Sequence, residues 1–289
     1  MPDPISSLVS ASWLAAKLEP GNADKRPIAV LDASLHLPTA GRDARAEFDE
    51  QHIPGACFLD LATLTDRTSP VPAALPNPQQ MAQRLSELGI APDAAIIVYD
   101  DSAVKSSARA WFALRALGWP GIAVLDGGLG AWLAAGHKTQ SGSGDIQPSA
   151  PASLTDAARV KTKADILRVL GDDSAQIIDA RAAARVFGDG LDPIHGGLNG
   201  RIPGSINLPF DAVFTSDGTY RPPEELRTAF INAGLDLSQP IIATCGSGVT
   251  ASVLLFALNL IGVSDAELYD GSWSEWGADP ETPKAVGPQ

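Results

Sequence analysis

Cysteine is scarce in this sequence, which holds only Cys57 and Cys245 among 289 residues. Two cysteines cannot build the disulfide framework that stabilises small secreted proteins. Long apolar runs are missing as well, because no segment approaches the ~18 consecutive apolar residues that a membrane crossing requires. The first residues, MPDPISSLVSAS, lack the basic start and apolar middle of a secretory signal peptide. We therefore expect a protein that does not span a membrane and that occupies a reducing cytoplasm.

Positive charge is also in short supply. The sequence has 21 Lys and Arg against 34 Asp and Glu, which gives a formal net charge of −13. Nucleic acids and anionic membranes are bound by clustered Lys and Arg, so neither is expected as a partner. The hydrophobic content of 45% and charged content of 19% are typical of a globular protein. A chain of this length suggests about two domains.

The two halves of the chain resemble each other. Four segments of the first half recur in the second half in the same order and at a nearly constant offset, which indicates a duplicated domain. The pairs are IAVLDASL (28–35) with AQIIDARA (175–182), QHIPGACFLDL (51–61) with GRIPGSINLPF (200–210), IIVYDDSAVKSSARAWFALRALG (96–118) with IIATCGSGVTASVLLFALNLIG (241–262), and AVLDGGLGAW (123–132) with AELYDGSWSEW (266–276).

Within each half, short β-branched runs alternate with helical stretches, a pattern typical of parallel strands joined by crossover helices. The predicted fold is α/β, with two tandem domains that each contain a mainly parallel sheet of four or five strands and helices on both faces. A segment rich in Ser, Gly and Pro separates the halves. We place the first domain at 1–136, the linker at 137–157 and the second domain at 158–289.

Cys245 stands at the junction of an apolar strand and a turn, in the stretch IIATCGSGVTAS (241–252). A turn between a strand and a helix surrounds its first residue with backbone N–H groups, and the helix N-terminus adds a partial positive charge. Such a site stabilises a thiolate, so Cys245 is the candidate nucleophile, and we expect it to be exposed. Cys57 lies among apolar neighbours with no turn, and we assign it a structural role.

The residues after Cys245 are predicted to form its binding loop. Gly246 and Gly248 let the backbone curl without a Cβ clash, and the hydroxyl groups of Ser247 and Thr250 are candidate donors. Val249 belongs to the same loop. The first half has Asp100 at the position of Cys245, so only the second half supplies a thiol.

The duplication, the paired Ile-Pro-Gly, the DGG…W and DGS…W signatures and CGSGVT together resemble the two-domain rhodanese-like sulfurtransferases, most of all the 3-mercaptopyruvate sulfurtransferases. The resemblance covers nearly the whole chain. It implies that Cys245 takes a sulfur atom from a donor as a persulfide and passes it to a thiol or to cyanide. It further implies that no metal or organic cofactor is needed, that a small thiol or thioredoxin is the acceptor, and that the protein is a monomer.

The charge of the loop favours one of two sulfur donors. Thiosulfate is a dianion, and the loop CGSGVT has no basic residue beside the cysteine. A neutral loop favours mercaptopyruvate, whose single carboxylate is bound by an arginine. By resemblance Arg185 is that residue and Arg181 supports the domain; without the resemblance, Arg185 is equally well a solvated surface charge. A thiosulfate sulfurtransferase remains an alternative.

Three positions depart from the family pattern. Many relatives have a second substrate-binding arginine where this chain has Ile194, which is followed by His195. The Asp and His that are proposed to form a proton relay in the animal enzymes correspond to Ala62 and Ala73. Ser247, water or the substrate itself must therefore handle any proton.

Two further classes of protein also place a cysteine in a strand-to-helix loop. Cysteine-dependent phosphatases need an arginine at the sixth position after the cysteine, and that position is Ala251, so phosphatase activity is not expected. A non-catalytic persulfide carrier or redox partner would need only Cys245, and the sequence leaves that alternative open.

Overall fold

A computed structural model describes residues 5–19, 21, 26–142, 144, 146–156, 159–188, 190–192, 194 and 197–287. The chain forms two compact units. The first consists of Met1–Asp66 and Leu75–Ala157 with Asp217–Thr219, and the second of Arg67–Ala74, Ala158–Ser216 and Tyr220–Gln289. None of the helices in the described part of the chain has the length and apolarity that a bilayer crossing requires.

The first unit contains five strands and five α-helices among its described residues. In chain order they are β1 (Leu8–Val9), α1 (Ala11–Leu18), β2 (Ile28–Asp32), α2 (Ala44–Glu50), β3 (Cys57–Phe58), α3 (Pro78–Glu87), β4 (Ala95–Tyr99), α4 (Ser107–Ala116), β5 (Ile122–Leu125) and α5 (Gly128–Ala134). The strands form one parallel sheet in the order β1-β5-β4-β2-β3. The central strand β4 is buried along its whole length, as expected of a parallel strand covered on both faces.

The second unit repeats this architecture. Its elements are β6 (Val160–Lys161), α6 (Lys163–Asp172), β7 (Gln176–Asp179), α7 (Ala183–Phe187), β8 (Leu191–Asp192), β9 (Gly197–Leu198), β10 (Ile206–Asn207), α8 (Pro223–Asn232), β11 (Ile241–Thr244), α9 (Val249–Leu260), β12 (Glu267–Tyr269) and α10 (Ser272–Trp276). Five of the strands form a parallel sheet in the order β6-β12-β11-β7-β10. Strands β8 and β9 form a separate antiparallel hairpin.

The two sheets have the same strand order once the elements are matched by their place in the repeat. Strand β4 corresponds to β11, and β2 corresponds to β7, so the central pair of each sheet is equivalent. The register agrees as well, because Asp32 lies opposite Tyr99 in the first sheet and Asp179 lies opposite Thr244 in the second. The prediction of an α/β fold with two tandem domains is confirmed.

The segment after α5 runs along the first unit and hydrogen-bonds to it. The amide and carbonyl of Gln140 pair with those of His52, and Thr155 donates its amide to the carbonyl of Leu117. His52 is fully buried and stacks on the ring of Phe48 at a centroid distance of 3.9 Å. Much of the Ser/Gly/Pro-rich segment is therefore extended chain that is attached to the first unit.

In the second unit, three neighbouring strands end at the same edge of the sheet. Strand β7 ends at Asp179, β11 at Thr244 and β12 at Tyr269. Because parallel strands that lie side by side present their carboxyl ends together, the chain segments that follow them meet at this edge. These segments begin with Ala180, Cys245 and Asp270. The tertiary structure thus brings together residues that are far apart in sequence.

Candidate active site

Cys245 is the first residue after strand β11, and helix α9 begins four residues later at Val249. Gly248 makes this short connection possible, because its φ of +79° lies in the left-handed region that residues with a Cβ rarely adopt. Gly246 is not among the residues with a positive φ, so the conformational need for glycine applies to Gly248 alone. Helix α9 is apolar on nearly every side and is buried from Ala251 to Leu258, which anchors the loop to the core.

The Cys245 residue is only 2% exposed, so the prediction of an exposed cysteine is wrong. The cause is the segment after strand β12. The hydroxyl of Ser272 accepts the Cys245 amide N–H at 3.2 Å, and the amide of Trp273 donates to the Cys245 carbonyl at 2.9 Å. Ser274 in turn donates its amide to the carbonyl of Gly246 at 2.8 Å. The turn is therefore enclosed by a segment that lies almost thirty residues further along the chain.

Ser272 is a site residue that the sequence pattern did not identify. It is fully buried, has a left-handed φ of 49°, and donates its hydroxyl to the Tyr269 carbonyl at 2.8 Å while it accepts the amide of Cys245. Gly128 occupies the matching place in the first unit and also has a positive φ. A serine at a backbone position that favours glycine was the signal available in the sequence, because strained residues concentrate at functional sites.

The backbone amides that follow Cys245 have no acceptor among the described residues. Within the part of the chain that the structure describes, none of the hydrogen bonds has the amide N–H of Gly246, Ser247, Gly248, Val249 or Thr250 as its donor. The first amides of a helix lack intrahelical partners, and those of the preceding turn add to them here. The hydroxyl groups of the loop serine and threonine also donate none of the described bonds. Such a set of free donors is suited to a bound or newly formed anion.

The corresponding loop of the first unit shows what this geometry does with an anion. The carboxylate of Asp100 accepts the amide of Ser102 at 2.9 Å and the amide of Ser107 at 2.8 Å. Asp100 is buried, so these bonds replace the water that its charge loses. The carboxylate of the first unit's own loop therefore takes up its amides, whereas none of the residues that the structure describes accepts from the amides after Cys245.

Asp100→Cys is expected to create no second active centre. The substitution removes a buried carboxylate that accepts two amides, so the variant should lose roughly 2 kcal/mol or more of unfolding free energy. Combined with Cys245→Ala, it should show no turnover in a sulfur-transfer assay with mercaptopyruvate and cyanide. Denaturant unfolding measures the first effect. Full activity of the double variant would show that the difference between the two loops has been misinterpreted.

Arg181 is a buried structural cation, as expected from the sequence. Its guanidinium forms a paired ion bridge with Asp179, with a shortest distance of 2.6 Å, and donates to the carbonyl of Gly200 at 2.7 Å. It also lies over the ring of Trp273, 4.5 Å from the ring centroid. Since the Trp273 amide holds the Cys245 carbonyl, Arg181 supports the segment that encloses the cysteine.

Arg185 lies in helix α7 and is paired with an acid that the sequence analysis missed. Its Nε and Nη2 atoms both donate to the carboxylate of Asp192, the shortest distance being 2.7 Å. Asp192 lies in the β8–β9 hairpin, its side chain is fully buried, and it also accepts the amide of Ile194 at 2.9 Å. No spacing in the sequence distinguished Asp192 from the other acidic residues near Arg185. His195 lies outside the described residues.

A chain of contacts joins this pair to the cysteine loop. The Nη1 atom of Arg181 lies 3.9 Å from the nearer Asp192 carboxylate oxygen, which also binds Arg185. From Arg181 the path continues through the Trp273 ring to the Cys245 carbonyl. The structure therefore places the predicted nucleophile, its loop and the predicted carboxylate-binding arginine in one connected region of the second unit.

Comparison with known proteins identifies the family. The model of the rhodanese-like domain matches twice, over residues 10–135 and 162–279. This chain belongs to the rhodanese-like family. Its resemblance to the two-domain members, predicted from the paired motifs, is confirmed. The first match contains most of the elements of the first α/β unit and the second match most of those of the second unit.

The relatives of this rhodanese-like protein extend over nearly its whole length. It is 41% identical over 277 residues to the 3-mercaptopyruvate sulfurtransferase of Mus musculus, a match that covers 95% of this chain and 93% of the relative. It is 40% identical over 281 residues to the thiosulfate sulfurtransferase of Cricetulus griseus, covering 96% and 94%. The crystal structure of SseA, a 3-mercaptopyruvate sulfotransferase from Escherichia coli, superposes with a TM-score of 0.81 at 35% identity and covers 93% of this chain and 99% of SseA. Two donor classes are thus represented at similar identity, so the choice between them depends on the site.

Proposed function

We propose that this protein is a sulfurtransferase that moves sulfur from 3-mercaptopyruvate to a thiol or to cyanide through a persulfide on Cys245. The observation that carries the proposal is the row of free amides at residues 246–250 beside a buried thiol. A buried anion is stable only where donors replace its lost hydration, and this loop supplies them. The full-length similarity to 3-mercaptopyruvate sulfurtransferases supports the same reaction.

The first half-reaction loads the enzyme. The Cys245 thiolate attacks the sulfur of mercaptopyruvate, a new S–S bond forms, and the C–S bond breaks with its electron pair remaining on carbon. The carbon product is the enolate of pyruvate, and the proton of the substrate thiol is sufficient to convert it to pyruvate. Ser247 is the proposed carrier of that proton, because the residue is partly exposed and its hydroxyl donates none of the described hydrogen bonds.

The second half-reaction releases the sulfur. An acceptor thiolate or cyanide attacks the outer sulfur of the persulfide, the S–S bond breaks, and Cys245 leaves as the thiolate. The added sulfur extends the side chain by about 2 Å, the length of an S–S bond, so the reacting atom differs from the buried Sγ. This extension explains how a persulfide on a residue that is only 2% exposed can pass its outer sulfur to an acceptor.

The substrate-binding residues follow from the same geometry. Gly246, Gly248, Val249 and Thr250 contribute amide donors to the sulfur, and removal of one such donor typically costs about 3 kcal/mol of transition-state stabilisation. Arg185 is proposed to bind the donor carboxylate. With Asp192 on its Nε and Nη2 atoms, its Nη1 atom donates none of the hydrogen bonds found among the described residues.

Mercaptopyruvate is expected to be the better donor by about tenfold or more in kcat/KM, because a dianion loses more hydration than a monoanion at a loop without cations. The test compares mercaptopyruvate with thiosulfate, with cyanide and a small thiol as acceptors. Faster turnover of thiosulfate would assign the protein to the thiosulfate sulfurtransferases. Persulfide loading without turnover would identify a carrier.

We also propose that 1–136 is a non-catalytic domain, 137–157 a linker and 158–289 the catalytic domain, in accord with the two family matches. The acceptor is proposed to be a small thiol or thioredoxin, the protein a monomer and its location the cytoplasm. The net charge of −13 and the scarcity of cysteine support a location in a reducing compartment.

A further inference from the structure

Asp192 occupies one edge of the Arg185 guanidinium. A guanidinium presents two pairs of donors, one formed by Nε with Nη2 and the other by the two Nη atoms. Asp192 binds the first pair, at 3.1 Å from Nε and 2.7 Å from Nη2. None of the described residues accepts a hydrogen bond from the edge that contains Nη1, and the Arg185 side chain is 14% exposed while that of Asp192 is fully buried. Asp192 therefore determines which edge of the Arg185 guanidinium is available to a ligand.

Asp192 also belongs to a group of four neighbouring charged side chains. Arg181 pairs with Asp179 at 2.6 Å, Arg185 pairs with Asp192 at 2.7 Å, and the two pairs approach each other at 3.9 Å. The four side chains carry two positive and two negative charges. Among the described residues, an anion that binds at Arg185 thus meets a group of four side chains with no net positive charge, and the buried Asp192 carboxylate is bound to the same guanidinium.

We infer that Asp192 is a specificity-determining residue that acts through Arg185 and makes the donor site select a monocarboxylate over a dianion. The inference rests on the proposed function of Arg185. A planar monocarboxylate gains two parallel N–H donors at the free guanidinium edge and meets little net repulsion. A compact dianion such as thiosulfate carries a second charge that this group does not compensate, and repulsion from Asp192 acts on both of its charges. Selectivity of this kind uses an unfavourable interaction with the wrong ligand as well as a favourable one with the right ligand.

The test is Asp192→Asn, which keeps the shape of the side chain and one acceptor for Arg185 but removes the charge. We expect the ratio of kcat/KM for thiosulfate to kcat/KM for mercaptopyruvate to rise by about tenfold, the size of effect typical of one nearby charge. In the Arg185→Lys background the same change should shift the ratio less, because Asp192 acts through the guanidinium. A structural role alone would lower activity with both donors equally.

Asp279→Asn is the matched control. Asp279 forms an equally short ion pair with Lys163, at 2.6 Å in the same unit, and its loss should leave the donor ratio unchanged. An unchanged ratio in Asp192→Asn would overturn the inference while the parental enzyme still used mercaptopyruvate. Inactivity of the parental enzyme with both donors would instead contradict the proposed function.

Asp192→Glu provides the second variant in case Asp192→Asn does not fold. It retains the negative charge and moves the carboxylate by one methylene, so the donor ratio should stay within about threefold of the parental value. A shift toward thiosulfate in this variant of tenfold or more would show that side-chain shape, and not charge, controls the choice of donor. Circular dichroism establishes that each variant is folded before its kinetics are compared.

Discussion

Cys245→Ser is expected to reduce sulfur transfer from mercaptopyruvate by about 10⁴-fold or more, since removal of a nucleophile eliminates the covalent route. The fold should persist, because a hydroxyl replaces a thiol at a residue whose main-chain amide and carbonyl bonds to the 272–273 segment do not involve the side chain. Steady-state assays with cyanide measure the loss. Mass spectrometry after incubation with mercaptopyruvate should find a mass increase of one sulfur on the parental chain and none on the variant.

Cys57→Ser is the control for this experiment. Cys57 is half-buried, its thiol donates to the carbonyl of Leu88 at 3.6 Å, and burial raises the pKa of that thiol. A thiol held in its protonated form is a poor nucleophile, so the variant should keep near-parental activity. Sulfur transfer that survives Cys245→Ser and disappears with Cys57→Ser would move the reaction to the other unit and contradict the proposed mechanism.

Arg185→Lys is expected to raise the KM for mercaptopyruvate by about tenfold or more, as the loss of a charged hydrogen bond of roughly 1.5 to 3 kcal/mol implies. Lysine keeps a positive charge beside Asp192 but cannot offer paired donors to a carboxylate. The turnover number should change less than KM, because the carboxylate is bound before and during the reaction. Arg168→Lys, at an exposed arginine of the same unit, is the control that should leave KM unchanged.

Alanine is the less informative substitution at Arg185. The Asp192 side chain is fully buried, so Arg185→Ala leaves a buried carboxylate without its main partner. Breaking a buried pair in this way typically costs 3 to 5 kcal/mol of stability, and a rise in KM would then be mixed with partial unfolding. An unchanged KM in a folded Arg185→Lys variant would place the carboxylate site elsewhere.

The repeated architecture could be predicted from the sequence because its signals are local. Apolar runs such as that of β11 and the helical periodicity after Cys245 are properties of ten or so neighbouring residues. Because the two halves are similar in sequence, an element predicted in one half could also be assigned to the other half. The strand order also agrees between the two units. Equivalent crossover connections of the same hand place each strand beside the same neighbours in both sheets.

Local signals also pointed to the proposed nucleophile, Cys245. A strand, a cysteine, a left-handed glycine and an apolar helix in succession define an anion-binding turn wherever they occur. These local signals do not show whether the backbone amides of the turn already have an acceptor within the protein. In the first unit the Asp100 carboxylate accepts two amides, whereas the amides after Cys245 have no acceptor among the described residues.

Sequence alone thus established the duplicated α/β architecture and the cysteine loop, because each depends on residues close together in the chain, whereas Arg185 was proposed only through the family resemblance. The burial of Cys245 and the pairing of Arg185 with Asp192 were settled only by tertiary structure. The first depends on Ser272 and Trp273, which reach the loop through the pairing of β11 with β12. The second depends on a hairpin that folds back on helix α7. Contacts across such distances arise from how elements pack, and no local pattern of side chains encodes them.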